Sequence, residues 1–142
     1  MTEKYKMPTL EELTAKLEED KAKFKATFDH LMETDDMLDE DGYPTASALE
    51  LIEIWHWTDP KGWFKFINSI WHLKSWGWDE LESIDELTND RAWCYYISTG
   101  GWSGNEAIIR AMEKNEMMWH LNWVQARRGG HYIFELKEFQ DE

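Results

Sequence analysis

Cysteine is almost absent from this 142-residue chain, and so are proline and long apolar runs. The single cysteine, Cys94, excludes an intramolecular disulfide. No apolar run approaches the roughly 20 residues that a membrane-spanning helix needs, and the N-terminal residues show no signal-peptide pattern. We therefore expect a protein of a reducing cytoplasm that has no membrane span.

Positive charge is also scarce, and the imbalance is uneven along the chain. Lys and Arg number 15 against 29 Asp and Glu, a net charge of −14. Residues 1–59 hold 6 basic and 16 acidic side chains, whereas residues 91–137 hold 6 and 4. An acidic front half repels nucleic acid and anionic membranes. We expect no direct nucleic-acid binding; the acidic half either attracts a basic protein surface or simply keeps a surface helix soluble.

Tryptophan, in contrast, is abundant. The chain carries ten tryptophans, and aromatic residues make up 15% of it. Each buried ring removes roughly 150–250 Å² from water, so a few of them suffice for a large core. The length fits one domain with an appended helix, and we expect some tryptophans to line a groove or an interface.

The first 42 residues are predicted to form an amphipathic helix and an acidic linker, separate from a Trp-rich α+β domain at 43–142. Thr9-Leu10-Glu11-Glu12 fits a capping box. Residues 33–42 contain six acids and no base, without the spacing of a calcium loop. The helix packs on the domain, which we favour, or on a second copy to make a homodimer. Its apolar stripe consists of Leu10, Leu13, Leu17, Phe24, Phe28 and Leu31.

Two more helices are expected next, one near residues 45–55 and one after an Asp59 cap with Pro60 at its first position. Apolar residues cover more than half of the circumference of the second, which is typical of a central core helix. His56 and His72 lie among the tryptophans. We interpret both as buried structural imidazoles, because neither has a second ligand at helical i+4 spacing. No metal or cofactor is predicted.

The second half is predicted to be mixed. Residues 77–85 suit a strand or a short helix, and residues 92–98 are strand formers. Ser103-Gly104-Asn105-Glu106 fits a second capping box, opening a helix that ends near Asn115. Residues 117–126 alternate like a strand, and Gly129-Gly130 turns into a last strand at 131–137. The fold class is α+β: a three- or four-stranded, mainly antiparallel sheet with helices packed on one face and a long N-terminal helix.

Two glycine-rich turns are the candidate functional site. Residues 98–104 join a strand to a helix N-terminus, where free N–H groups and the helix dipole favour an anion. The second turn adds an arginine pair that would clamp a phosphate or carboxylate. The alternative is a tight turn that needs glycine for backbone reasons alone. The candidate ligand-binding residues are Ser98, Thr99, Gly100, Gly101, Trp102, Ser103, Gly104, Arg127, Arg128 and His131.

A hydrolase is the weakest interpretation of the first turn. Residues 101–105 come close to the nucleophile elbow Gly-x-Ser-x-Gly, with Asn105 where that motif has glycine. Ser103 would be the nucleophile, with His120, His131 and Glu106 as candidate partners. Cys94 lies in mid-strand, where cysteines are usually buried and inert.

The strings ISTGGWSGNEAIIRAM and MMWHLNWVQARRGGHYIFE resemble a family of small phage- and prophage-encoded proteins. YPTASALELIEIW, DPKGWFKFINSIW and SWGW are similar to the same family, so the resemblance covers roughly residues 43–136. It implies a viral accessory protein that acts in the cytoplasm of a host bacterium, and it implies no catalytic activity.

Three hypotheses follow, in order of preference. The first is a non-enzymatic accessory protein that binds a host or phage protein, with an inhibitor of host defence as a special case. The second is a protein that binds a small, nucleotide-like anion at the glycine turns. The third is a hydrolase.

Overall fold

The computed structural model describes residues 7–84 and 87–137. In that part the chain folds into α1 (Leu10–Thr34), α2 (Ala46–Ile54), α3 (Pro60–Ile70), α4 (Lys74–Gly77), β1 (Trp78–Ile84), β2 (Arg91–Ser98), α5 (Ser103–Lys114), α6 (Glu116–Asn122), β3 (Trp123–Arg127) and β4 (His131–Lys137). Of the segment predicted at 77–85, residues 78–84 form a strand rather than a short helix, Gly77 ends α4, and residue 85 lies outside the described residues.

The four strands form one antiparallel sheet in the order β1-β2-β4-β3. Successive residues of a strand point to opposite faces. Tyr95 and Ile97 of β2 belong to the hydrophobic core with the helices. Tyr96, between them, lies on the other face and is 40% exposed. We call this other face, which carries Tyr96, Ser98 and His131, the back face. The predicted fold class is confirmed.

Helix α3 is the centre of the core. Asp59 caps it by accepting a hydrogen bond from the amide of Gly62 at 3.1 Å, and Pro60 occupies its first turn. Its Phe64 ring is fully buried and stacks on Tyr95 of the sheet, with ring centroids 4.1 Å apart. The wide apolar face thus predicts its position correctly, because a helix apolar over so much of its surface must be covered on several sides.

Helix α1 packs on the domain with only half of its length. Thr9 and Glu12 form the predicted capping box. Towards the C-terminus, Phe24 and Phe28 contact the ring of Trp55, with centroids at 4.9 and 5.3 Å. Towards the N-terminus, Leu10 is 80% exposed. We call residues 10–20 the free half of α1. The favoured packing on the domain holds for the other half.

The strand predicted at 117–126 is wrong in its first part, where the chain forms α6. Asn115 caps this helix by accepting from the amide of Met118 at 3.3 Å. Its amide nitrogen also donates to the carbonyl oxygens of Ile52 and Trp55, both at 3.0 Å. Asn115, Met118 and Asn122 are buried at the helical spacing i, i+3, i+7. The hydrogen bonds from Asn115 to the Ile52 and Trp55 carbonyl oxygens therefore favour a helix here, although the local alternation of Trp and Leu predicts a strand.

Candidate functional site

The two glycine turns meet in space. Ser98 pairs with His131 at the end of the β2–β4 ladder. One residue further on, the amide of Thr99 donates to the carbonyl oxygen of Gly130 at 3.0 Å. Because β2 and β4 are neighbours in the sheet, the end of one and the start of the other lie side by side. The second turn is thereby attached to the first.

Thr99 is the residue that joins the turns. Its side chain is 2% exposed. Its hydroxyl accepts from the amide of Gly101 at 3.3 Å and reaches the Glu106 carboxylate at 3.5 Å. A Cβ atom on Gly130 would lie 2.3 Å from the Thr99 hydroxyl oxygen, and Gly130 has φ +80°. Glycine is thus required at Gly130 by sterics as well as by backbone conformation.

Most of the first turn is filled by tryptophan rather than open to a ligand. A Cβ atom on Gly104 would lie 2.2 Å from the Trp102 ring, and one on Gly100 would lie 3.1 Å from Trp76. The Trp102 ring stacks on both Tyr43 and His72, at centroid distances of 4.6 and 4.3 Å. In this turn, only Gly101 has open space around its Cα. Gly100 thus needs glycine for its backbone conformation, with φ +64°, whereas Gly104 leaves room for the Trp102 ring.

The structure differs from the predictions made for three side chains, His72, His56 and Ser103. His72 is exposed, because it lies against Trp102 at the surface instead of in the core. His56 is half-buried, and its Nδ1 lies 2.8 Å from the hydroxyl oxygen of Thr58.

Ser103 does not cap α5: the cap residue is Trp102, which makes no capping bond with its side chain. Ser103 is instead the first residue of the helix and is exposed.

The sequence analysis missed Asn105, which holds the turn in place. Asn105 is 1% exposed. Its side-chain oxygen accepts from the amide of His72 at 3.0 Å. Its nitrogen donates to the carbonyl oxygens of His72, at 3.0 Å, and Thr99, at 3.3 Å. The departure from the Gly-x-Ser-x-Gly motif at this position was the available signal, since an asparagine there brings hydrogen bonds that glycine lacks.

The remaining predicted residues form a polar row on the back face. Ser98, His131 and Arg127 are opposite one another on the adjacent strands β2, β4 and β3. The Ser98 hydroxyl lies 2.5 Å from Nδ1 of His131. Arg127 and Arg128 are exposed, and neither forms an ion pair with an acid among the residues that the structure describes. The side-chain oxygen of Gln125 accepts a hydrogen bond from Nε of Arg127 at 2.7 Å.

This row does not assemble a serine-hydrolase triad. Over the described ranges, Ser103 bonds to no histidine and His131 bonds to no carboxylate. Glu106 contacts Thr99, whose side chain is on the helix-covered side of the sheet. The side chain of Cys94 is 6% exposed, as expected for an inert mid-strand thiol. The row offers a hydroxyl, an imidazole and a guanidinium, which are donors suited to an anion.

Negative charge is concentrated on the helix-covered side of the same strands. Burial raises the pKa of the Tyr132 phenol, and the nearby carboxylates of Glu113 and Glu106 raise it further. Burial, followed by the charge of Glu80, raises the pKa of Tyr95 in the same way. Both phenols therefore remain neutral and structural at physiological pH.

A second candidate surface, which the sequence analysis did not predict, is a groove between α1 and α3. Its volume is about 790 Å³, and it is open to solvent. The side chains of Lys21 and Lys25 at its edge pair with acids of their own helix, at 3.8 Å to Glu18 and 3.0 Å to Asp29. The groove is therefore apolar inside and largely charge-neutral at this edge. Its aromatic floor consists of Phe24, Phe28, Trp55 and Phe66.

Comparisons with protein families, with curated proteins and with solved structures find no match to this chain. None of the helices in the described part of the chain combines the length and the apolar character that crossing a membrane demands. Across residues 7–84 and 87–137, no group of three or more His, Cys, Asp or Glu side chains is arranged to hold a metal ion.

Proposed function

We propose that this protein is a non-enzymatic binding protein that engages another protein through the free half of α1 and the adjoining groove. One observation carries the proposal: a single apolar stripe is covered at one end of α1 and bare at the other. Leu10 and Leu13 are 80% and 52% exposed, whereas Phe24 and Phe28 pack on the core. Contiguous exposed apolar surface rimmed by charge is typical of an interaction site.

The negative charge of the free half of α1 indicates which class of protein it would bind. The free half carries five acids and one lysine, a net charge of −4 over residues 10–20. A partner helix with an apolar face flanked by Lys or Arg complements it in both respects. Two copies of this chain paired along their free halves would bring −4 against −4, which is unfavourable. The occupant we propose is therefore a basic amphipathic helix of a different protein.

The groove continues this surface along α1, from Glu18 in the free half as far as Phe28. The free half ends at Asp20, and Lys21 already lines the groove. Two of its three lining lysines, Lys21 and Lys25, are paired with Glu18 and Asp29 and oppose a basic partner only weakly; Lys65 is the third. The aromatic floor would receive one large apolar side chain from the partner, as anchors fill pockets in other helix-in-groove complexes.

We further propose a phage accessory role, with the cytoplasm of a host bacterium as the site of action. The sequence motifs of residues 43–136 from which we expect a phage or prophage origin support this, and so does the near absence of cysteine. Within that role, inhibition of a host defence protein that presents a basic helix is the special case that fits the acidic free half.

A designed peptide pair tests the docking surface. The probe is a helix-forming peptide with leucines on one face and lysines beside them, and the control peptide has glutamate at the lysine positions. We expect fluorescence anisotropy to show binding of the lysine peptide only. The Leu10→Ser/Leu13→Ser variant should weaken it at least about tenfold, because the stripe loses its apolar contacts. Raising NaCl from about 0.05 to about 0.5 M should weaken it further.

Leu81→Ser is the matched control, because Leu81 on β1 is 52% exposed, as Leu13 is. It should bind the lysine peptide as tightly as the wild type. Equal binding of the two peptides, or equal affinity of the two serine variants, would overturn the proposal. A dimer in analytical ultracentrifugation that disappears in Leu10→Ser/Leu13→Ser would assign the surface to a second copy and overturn the proposed partner.

A further inference from the structure

We infer that the back face of the sheet binds a small nucleotide, with the phosphate at the row formed by Ser98, His131 and Arg127 and the base on Tyr96. This site is separate from α1 and the groove, so it stands or falls independently of the protein-binding function. It belongs to the small-anion hypothesis, and the structure adds the residues that meet and the part of the ligand that each would contact.

The phosphate position follows from the strand register. Ser98 is opposite His131, and His131 is opposite Arg127, so the three side chains share one face on adjacent strands. Directly opposite residues have Cβ atoms about 4.5–5.5 Å apart. The Ser98 hydroxyl already lies 2.5 Å from the His131 imidazole, which fixes both groups side by side. One phosphate can bridge three adjacent donors of this kind, and a guanidinium binds its oxygens in a bidentate manner.

The charge around the row differs from that of the rest of the protein. The chain has a net charge of −14, yet Arg127 and Arg128 lie together at the β3–β4 turn without an acidic partner in the described parts of the chain. Among the described strand residues, two acids share the back face. Asp79 is opposite Tyr96, one strand away from His131, and Glu135 is four residues along β4 from His131. The row itself is therefore locally basic.

The base position follows from the next row of the same face. Tyr96 and Ile133 are opposite each other. They lie two residues from Ser98 and His131 along their strands, which is about 7 Å. Tyr96 is 40% exposed, and no tryptophan or other ring stacks on it among the described aromatic pairs. An exposed tyrosine on an open sheet is a platform on which a base can stack.

The flanking residues suit a base edge. Gln125 of β3 is opposite Ile133, and Asp79 of β1 is opposite Tyr96. An amide and a carboxylate thus stand on either side of the Tyr96–Ile133 pair, and together they provide the donors and acceptors that a base edge needs. A phosphate alone would leave this second row unused, and this is why a nucleotide fits the face better than a simple anion.

Titration with adenosine monophosphate tests the inference, with inorganic phosphate, adenosine and a short single-stranded oligonucleotide as the other ligands. We expect the amide resonances of Tyr96, Ser98 and His131 to shift with adenosine monophosphate in the NMR spectrum. Arg127→Ala/Arg128→Ala should weaken binding at least about tenfold while leaving the melting temperature nearly unchanged. Arg110→Ala, an exposed arginine of α5 on the covered side of the sheet, should bind as the wild type does.

Tyr96→Ala separates the base from the phosphate. It should reduce the affinity for adenosine monophosphate to that for inorganic phosphate. Equal wild-type affinities for these two ligands would overturn the nucleotide assignment, and so would an absence of shifts at the back face. Tighter binding of the oligonucleotide through the same residues would show a nucleic acid as the ligand instead, which also overturns the inference.

Discussion

The amide nitrogen of Thr99 lies 3.0 Å from the carbonyl oxygen of Gly130, and this hydrogen bond joins two turns that are far apart in the sequence. The bond extends the β2–β4 ladder by one residue beyond the Ser98–His131 pair. The polar row on the back face therefore lies next to this bond, while the Thr99 side chain is buried on the other side of the same strand end.

Gly130→Ala should destabilise the protein by about 2–4 kcal/mol. The added Cβ would lie 2.3 Å from the Thr99 hydroxyl oxygen, and φ at Gly130 is +80°, so overpacking and backbone strain act together. Gly101→Ala is the control, because its φ of +74° is similar but nothing lies within 4 Å of the added atom. It should cost only about 1–2 kcal/mol. Urea unfolding measures both, and equal losses would show that contact with Thr99 is unimportant.

Asn105→Ala should lower the free energy of unfolding by at least about 2 kcal/mol, because it removes a buried side chain that makes three hydrogen bonds to the backbone of His72 and Thr99. Ser103→Ala, two residues away, should change it by less than about 0.5 kcal/mol, since Ser103 is exposed and makes no capping bond. Thermal and urea unfolding of the two variants compares them directly. A large loss of unfolding free energy in Ser103→Ala would instead support the capping box that the sequence predicts.

Elements governed by their own residues are predictable from the sequence. The wide apolar face of α3, with Asp59 and Pro60 at its start, defines both the helix and its central position. Gly129 and Gly130 have φ of +91° and +80°, and their glycine pair correctly predicts the turn into β4. In each case the local conformation and the burial pattern favour the same structure.

Elements governed by distant bonds are not predictable in this way. Asn115 makes α6 helical through carbonyl oxygens of α2 some sixty residues earlier in the chain. The candidate site was likewise only partly predictable from the sequence. The sequence places Ser98, Arg127 and His131 near glycines, but only the register of β2, β4 and β3 brings them together. The groove depends on how α1 meets α3, which no local pattern encodes.

Ser47→Ala should raise the pKa of Asp35. Hydrogen bonds from the hydroxyls of Ser47 and, secondarily, Thr34 hold the pKa of this carboxyl below its ordinary value of 3.8. A lowered folded-state pKa contributes stability that is present above pH 3.8 and is lost as the pH falls through the lowered value. Removing the Ser47 hydroxyl should therefore flatten this part of the acid dependence, as NMR titration of the Asp35 carboxyl would show. Ser47→Thr keeps a hydroxyl and should keep the pKa low; a rise there as large as in Ser47→Ala would contradict this cause.

Phe28→Ala should loosen α1 from the domain and lower the free energy of unfolding by about 2 kcal/mol. Its ring contacts Trp55 and Phe66 at centroid distances of 5.3 and 6.3 Å, and it is only partly buried, so the loss should be below that of a fully buried phenylalanine. Hydrogen exchange should accelerate along α1 and remain slow in α3. Leu10→Ala, on the same stripe but 80% exposed, should alter neither quantity. Unchanged exchange in Phe28→Ala would mean that α1 is held to the domain by other contacts.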